Sequence, residues 1–383
     1  MKIAYQSTQI NQSIETQQNQ NSLRTSTTVI STSNAPRELN FHNIQEQVNA
    51  IKNINDAFPP RVQEKLLAAY QGMKTRRQVS VTTSAPSIIK TTIRRPSDNA
   101  PQNKSHPLDQ IQSLLKPGAT YVRMHILGGG QSNCVIGTKN NEIPRSPIEL
   151  AKQTSEGAAV INGGYFVHKD GLISDKGNKL NIGAPIGETL TRTDNAPIPG
   201  IWKEEYGQII IDDQIALTSG PVLALNGEQI TLPEHDRMKY HLNGEENPLN
   251  KYAGALTHSS GYNERAAIST LSSSSTGIGE TIMHTLVSNG DRTAGASMSE
   301  WQALTSAGVA SLPGGRLTGQ QIDSSTINLD GGGSVFLGTT TKDGIAVHAL
   351  GGASTEETIR PVANVIVSRP GNVGKIEILP VQG

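Results

Sequence analysis

From about residue 118 onward the chain is a succession of short β-rich runs separated by glycine-rich turns, and this texture restricts the fold more than any other feature. Runs such as "TYVRMHIL", "GAAVINGGYF", "GQIIIDDQIAL", "GPVLALNG", "TIMHTLVSN", "STINLDGG" and "PVANVIVSR" are rich in Val and Ile and bounded by Gly, Asn or Asp, as strands are. Two helical stretches interrupt them. "SPIELAKQTSEG" offers Ser146 as N-cap, Pro147 at the first helical position and Glu149 three residues after the cap. "SMSEWQALTSAG" repeats the device with Ser297 and Glu300, and Gly308 is expected to end that helix. The pattern predicts an α+β fold: curved, mainly antiparallel sheets packed on a few helices.

The segment before this texture differs in kind. Of the first 50 residues, 27 are Gln, Asn, Ser or Thr, too few apolar groups to offset the entropy of ordering. Residues 1–42 therefore read as a disordered polar segment. In "NIQEQVNAIKNINDAF", Ile44, Val48, Ile51, Ile54 and Phe58 recur at helical spacing, Pro59 and Pro60 stop the pattern, and "RVQEKLLAAYQGM" resumes it. A short helical hairpin is predicted over 43–73, then a linker over 74–117, rich in Thr, Ser, Pro and Arg, and a main domain over 118–383.

Charge and cysteine usage exclude several classes. Residues 1–105 carry 13 Lys and Arg against 6 Asp and Glu, whereas the whole chain is balanced at 33 of each. The excess is scattered rather than clustered, so it reads as a solubilising tail, and a nucleic-acid partner is not expected. The segment is instead assigned to addressing or to binding an unidentified protein partner. Cys134 is the sole cysteine, which rules out an intramolecular disulfide and a cysteine-based metal site. The start, "MKIAYQSTQINQS", lacks the apolar core of a secretory signal, and no run approaches a membrane span, so a cytosolic location or export by a non-Sec route is expected.

Two stretches carry the chemistry. "INGGYF" (161–166) and "LDGGGS" (329–334) are each an apolar strand end, then Asn162 or Asp330, then glycines. Glycines weaken a strand, but their exposed amides can cradle a phosphate or another anion. A nucleotide P-loop does not fit, because neither stretch ends in Gly-Lys-Ser/Thr, and "GGGQ" (128–131) is no better.

"AAVINGGYF", "TSGPVLALNG", "NERAAIS", "NLDGGGSVF" and "RPVANVIV" follow one another in the order seen in phosphodiester glycosidases, and over roughly 118–370 the chain resembles that family. The resemblance implies an α+β fold and hydrolysis of the glycosidic bond of a sugar-1-phosphodiester or phosphoglycan, releasing free sugar and a phosphomonoester. The chain departs from the family where an Asp-Gly-Arg usually follows a strand: here the residues are "VSNGDRTAG", with Ser288 and Asn289 near the expected Asp. That loss motivates the alternative of a catalytically inactive glycan- or phosphoglycan-binding domain.

Cleavage at an anomeric carbon needs stabilisation of an oxocarbenium-like transition state and of the departing phosphate. Asp330 is the candidate for the first, as nucleophile, base or electrostatic partner. Arg265 is the candidate for the second, since a guanidinium binds phosphate bidentately. Asn162 completes the expected catalytic set. Gly163, Gly164, Tyr165, Gly331, Gly332, Gly333, Ser334, Arg360 and Asn364 are expected to bind substrate. The competing structural readings are an Asx-turn for Asp330, an ion pair with Glu264 for Arg265, and strand-end contacts for Arg360 and Asn364. His168 is weighed as a proton shuttle and Glu264 as a second carboxylate. The histidines show no zinc spacing and no required cofactor is expected, which leaves the metal unknown and a carboxylate–carbonyl divalent-cation site open.

Overall fold

The computed structural model describes residues 38–39 and the chain from 79 to 381 except 86–87, 96–106, 127–130, 139–142, 175, 192–195, 197, 199, 233–240, 243–244, 247–251, 255, 257, 273–278, 313–322 and 371–375. The helical hairpin expected over 43–73 lies outside the described residues. In chain order the strands are β1 (Glu38–Leu39), β2 (Val79–Ala85), β3 (Ile88–Arg94), β4 (Thr120–Ile126), β5 (Gln131–Gly137), β6 (Ala159–Asn162), β7 (Gly207–Ile211), β8 (Gln214–Ser219), β9 (Val222–Leu225) and β10 (Glu228–Gln229). They continue with β11 (His241–Leu242), β12 (Glu245–Glu246), β13 (Arg265–Ser272), β14 (Gly279–Val287), β15 (Asp323–Asn328), β16 (Phe336–Thr341), β17 (Gly344–Leu350), β18 (Asn364–Pro370) and β19 (Ile376–Pro380). The α-helices are α1 (Pro107–Leu114), α2 (Pro147–Ala151) and α3 (Met298–Ala310).

The expected mixed α+β class is what the chain adopts. One sheet runs β1-β2-β3-β4-β14-β13-β15-β9-β10, a second β17-β16-β6-β18-β5, and a third β19-β7-β8. The ladders joining these strands are antiparallel. One shared core lies between the sheets. Met124, Ile268, Met283 and Ile327 of the first meet Ile161, Leu337 and Ile366 of the second and Ile209, Leu217 and Ile378 of the third.

Strand alternation explains why some of these runs are apolar throughout. In β6, Ile161 enters the shared core while Val160 joins Val365, Val367 and Phe336 on the opposite face, which α2 covers with Ile148 and Leu150. In β14, Met283 faces the shared core and Ile282 packs with Leu271, Val309 and Leu312. A sheet covered on both faces reads as a continuous hydrophobic run rather than an alternating one.

Three sequence expectations are corrected. The proposed linker 74–117 contains β2, β3 and α1, and Ile88 and Ile93 are fully buried. β3 pairs with β4 from Ile88 to Arg94, and Ile88 belongs to the shared core, so hydrophobic burial orders a stretch that its Ser, Thr and Arg content disguised. The capping box at Ser297 and Glu300 forms in full, whereas Ser146 caps through Ile148 N–H while Glu149 turns to Arg145 at 3.6 Å. Gly308 does not end α3, which continues to Ala310; a Cβ there would lie 2.2 Å from the Tyr121 hydroxyl, so this glycine admits a close contact instead.

Beneath α3, His284 Nδ1 lies 2.6 Å from Tyr121 Oη and Nε2 lies 2.8 Å from Ser269 Oγ. The Ser–His contact has the geometry of a nucleophile pair, but both side chains are fully buried. Burial, with Arg123 and His125 nearby, pushes His284 down to about 3, so it stays neutral at pH 7 and serves the core.

Candidate functional site

A cavity of about 710 Å³ opens at the segment leading into β13 and the loops that follow β14, β15 and β17, with the β6–β7 connection also lining it. Asp330, Gly331, Gly332 and Gly333 line it, together with Arg265, Arg360, His168 and His258. The two glycine-tipped strand ends meet here, but they do different jobs.

The first end is consumed by the fold. Asn162 is fully buried; its Nδ2 donates to the Asp330 carbonyl at 2.8 Å and its Oδ1 accepts from Phe336 N–H at 3.1 Å. Gly163 N–H donates to the Asn364 carbonyl at 2.9 Å, and Gly164 N–H to Asn364 Oδ1 at 3.2 Å. A Cβ on Gly163 would come 1.8 Å from Asn364 Oδ1, and one on Gly164 would come 2.5 Å from the Thr218 carbonyl. These glycines exist for close packing, not as an anion cradle. Asn162, expected to be catalytic, and Gly163, Gly164 and Asn364, expected to bind substrate, are therefore corrected to scaffold: the hydrogen bonds described for them run to one another and to neighbouring backbone, and none of the four lines the cavity. Tyr165 reaches the cavity wall, yet its hydroxyl donates to the Gly220 carbonyl at 2.9 Å and accepts from Asn328 Nδ2 at 2.7 Å, so it too braces the loop.

The second end is held by the first and faces the cavity. Asp330 N–H donates to the Gly163 carbonyl at 3.1 Å, so both backbone groups of Asp330 are pinned by residues 162–163. Gly331 N–H donates to Asp330 Oδ1 at 2.9 Å, and Gly332 N–H to the Glu264 carbonyl also at 2.9 Å. Among the described residues no partner falls to Gly333 N–H. Gly332 has φ +57, a left-handed conformation that glycine adopts without strain. Ser334 is fully buried and its side chain favours the charged form of Asp330. Arg360 lies over Gly333, where a Cβ would come 3.1 Å from Nη2, and its Nη1 donates to Ser334 Oγ at 3.4 Å.

Asp330 holds its proton more tightly than an ordinary carboxylate. Desolvation in the cavity wall outweighs the opposing help of Ser334, Arg360, His168 and Gly331 N–H. His168, at the mouth, is shifted the other way, because burial and the Arg360 and Lys169 cations disfavour its protonation more than Asp330 favours it.

Arg265 is not paired with Glu264. It is 4% exposed, and its Nε donates to the Ala296 carbonyl at 3.0 Å while Nη2 donates to the His258 and Gly261 carbonyls, each at 2.9 Å. No carboxylate among the described residues forms an ion pair with it, and burial pushes its guanidinium down to about 10, still cationic at pH 7. Nη1 takes none of these carbonyls. Glu264 turns elsewhere: Oε1 accepts from Ser288 N–H at 2.8 Å, Ser288 Oγ at 3.2 Å and Gly290 N–H at 3.2 Å, while Oε2 accepts from Gly352 N–H. Its carboxylate is a structural clamp rather than a second catalytic acid.

Three cavity residues escaped the sequence reading: Lys169, His258 and Arg292. They sit on separate loops with no shared motif. The one available signal was Arg292, inside the "VSNGDRTAG" stretch that departs from the family pattern. His258 is pushed down to about 4, by burial first and then by Arg265, Arg292, His168 and Lys169, so the surroundings of this ring are strongly cationic. Among the described residues no metal-ligand cluster of His, Cys, Asp and Glu occurs, and no helix is long and apolar enough to cross a membrane.

No family model matches the chain, and no curated protein matches it. Among solved structures it is similar to the catalytic domain of zebrafish N-acetylglucosamine-1-phosphodiester alpha-N-acetylglucosaminidase, auto-inhibited by its pro-peptide, at 14% identity and a TM-score of 0.35, over 76% of this chain and 85% of that one.

Proposed function

We propose that the cavity hydrolyses the glycosidic bond of a sugar-1-phosphodiester, releasing free sugar and a phosphomonoester. The observation that carries this reading is Asp330. It is the cavity carboxylate left available for chemistry, since Glu264 is committed to backbone amides, and it stands beside a guanidinium and an unpartnered amide. In this reaction the bond between the anomeric carbon and the phosphodiester oxygen breaks, the phosphomonoester leaves with the bonding electrons, and water supplies the new hydroxyl. Arg360 and Gly333 N–H receive the phosphate, a task suited to charge-assisted donors. Asp330 faces the positive charge that develops at carbon, and the raised proton affinity of its carboxylate suits a base acting on water. Phosphate is already an acidic leaving group, which fits a site with one free carboxylate.

The test is incubation with a panel of sugar-1-phosphodiesters and measurement of free sugar. Release that depends on Asp330 is expected. Binding without release, by a folded protein, would replace the enzyme with a phosphoglycan-binding module.

A further inference from the structure

We infer that the glycosyl arm of the ligand presents an apolar face, as a deoxy or alkyl-substituted sugar does, and that it rests on a wall of carbon at the inner end of the cavity. The inference rests on the reading of Arg360 and Gly333 N–H as the seat of the scissile phosphodiester.

The wall is one packed cluster. Leu172, Ile186, Tyr206, Ala253 and Leu256 line the cavity, none of them more than 6% exposed, and they pack together with half-buried Tyr165 and Tyr252. The backbone that carries them is occupied. Ile186 N–H donates to the Tyr165 carbonyl at 2.8 Å, Leu180 N–H to the Leu172 carbonyl at 3.2 Å, and Ala253 N–H to the Ile173 carbonyl at 2.9 Å. Two of the phenols are spent as well: Tyr165 on Gly220 and Asn328, Tyr206 on the Gly254 carbonyl. What these groups leave to a ligand is carbon. His168, Lys169, Arg292 and Arg360 line the same cavity but are exposed, so the charges stand at the mouth and the apolar cluster lies deeper. Carbon that faces a cavity forgoes packing contacts, and an apolar group restores them while leaving water itself.

The wall begins beside Asp330. Asp330 N–H is held by the Gly163 carbonyl, two residues before Tyr165, and Asn328 Nδ2 reaches the Tyr165 hydroxyl at 2.7 Å. Arg360 lies over Gly333, at the other end of the glycine loop. A phosphate on Arg360 whose ester carbon meets Asp330 therefore sends the glycosyl arm inward along the wall and the other arm toward solvent.

Calorimetric titration of the full chain with methyl phosphate and with butyl phosphate tests the wall without requiring turnover. Butyl phosphate is expected to bind about tenfold more tightly or better, since each methylene taken from water adds to affinity. Leu172→Gln puts an amide into the wall and should shrink the ratio to about threefold or less. Tyr252→Ser, at a half-buried position, should shrink it in the same direction and serves where the first variant fails to fold. Arg360→Ala should weaken both esters alike and keep the ratio. Equal affinities in the wild type, or a ratio that survives the wall variants, would overturn the inference and leave the phosphate seat standing. A ratio that persists while Arg360→Ala changes neither affinity overturns the phosphate seat, and the assignment of the glycosyl arm with it. If neither ester binds, seat and wall fail together. A preserved ratio with no release of sugar from phosphodiesters sinks the hydrolase alone. Sugars then identify the arm: a 6-deoxyhexose 1-phosphate should bind about threefold more tightly or better than the hexose 1-phosphate. A gain that comes only from an alkyl group on the other ester arm would overturn the glycosyl assignment.

Discussion

At the end of β6 the polar groups of Asn162, Gly163 and Gly164 are spent inward, whereas at the end of β15 those of Asp330 to Gly333 are divided between the fold and the cavity. In sequence the two ends are near-copies: an apolar run, an Asn or Asp, then glycines. What separates them is the neighbouring strand. β6 lies between β16 and β18, so its end meets Asn364 and the Asp330 loop at once. The segment after β15 runs out past the sheet and meets Arg360 and solvent. A glycine run at a strand end is thus ambiguous until the destination of its amides is known. One end is an anvil on which the other is set.

Substitutions sharpen this contrast. The largest effect is expected on the anvil: Asn162→Ala strands the Phe336 N–H and the Asp330 carbonyl in a dry interior, at about 1–3 kcal/mol for each unmet group. Thermal unfolding should move down by several degrees, and Gly164→Ala should do the same by driving a methyl toward the Thr218 carbonyl. An Asn162→Ala protein that melts like wild type would break the distinction.

Asp330→Asn should behave oppositely. Asparagine keeps the acceptor for Gly331 N–H, so the melting temperature should stay close to wild type while turnover falls by about 10² or more. A stable and fully active variant would reduce Asp330 to a turn residue.

Smaller still is Gly332→Ala. Nothing lies within 4 Å of the added methyl, so the cost is confined to the left-handed φ of +57, about 1 kcal/mol. Comparing its melting shift with that of Gly164→Ala separates backbone strain from steric exclusion.

The finest effect is on pH. Asp330 has a folded-state pKa raised by desolvation, so its contribution to stability is fully present below the ordinary carboxylate range and is lost as pH rises through the folded value. Asp330→Asn escapes that loss. The variant should therefore gain on wild type in melting temperature as pH rises from acid to neutral, while the Asn162→Ala difference should stay flat with pH.

Much of this architecture was legible in the chain. The runs around 120–126, 159–162, 265–272 and 364–370 are strands, because Val and Ile clusters bounded by Gly and Asn leave few alternatives. The Ser297–Glu300 box forms because its chemistry is local. β2 and β3 were hidden: "IIKTTIR" mixes Thr, Lys and Arg with isoleucine, and only pairing with β4 reveals that Ile88 and Ile93 face inward. Asp330, Gly333 and Arg360, expected from one motif and one strand boundary, line the cavity. Asn162, Gly163, Gly164 and Asn364 were misread because nothing local says whether an amide points into a cavity or a neighbouring strand. Lys169, His258 and Arg292 belong to loops that only the fold brings together.

Glu264 and Arg265 are consecutive, yet the carboxylate of one binds the amides of two separate loops and the guanidinium of the other binds the carbonyls of the segment before β13 and the turn before α3. The Glu264 carboxylate gathers the turn that precedes Arg292 and the loop that leads toward Arg360. The reach between those two guanidinium groups is thus set by an anion whose oxygens are spent on the amides of Ser288, Gly290 and Gly352. The width of the cavity is therefore a tunable dimension: shortening or lengthening that pin would reset its gauge while Asp330, Arg360 and Gly333 stay unchanged in identity.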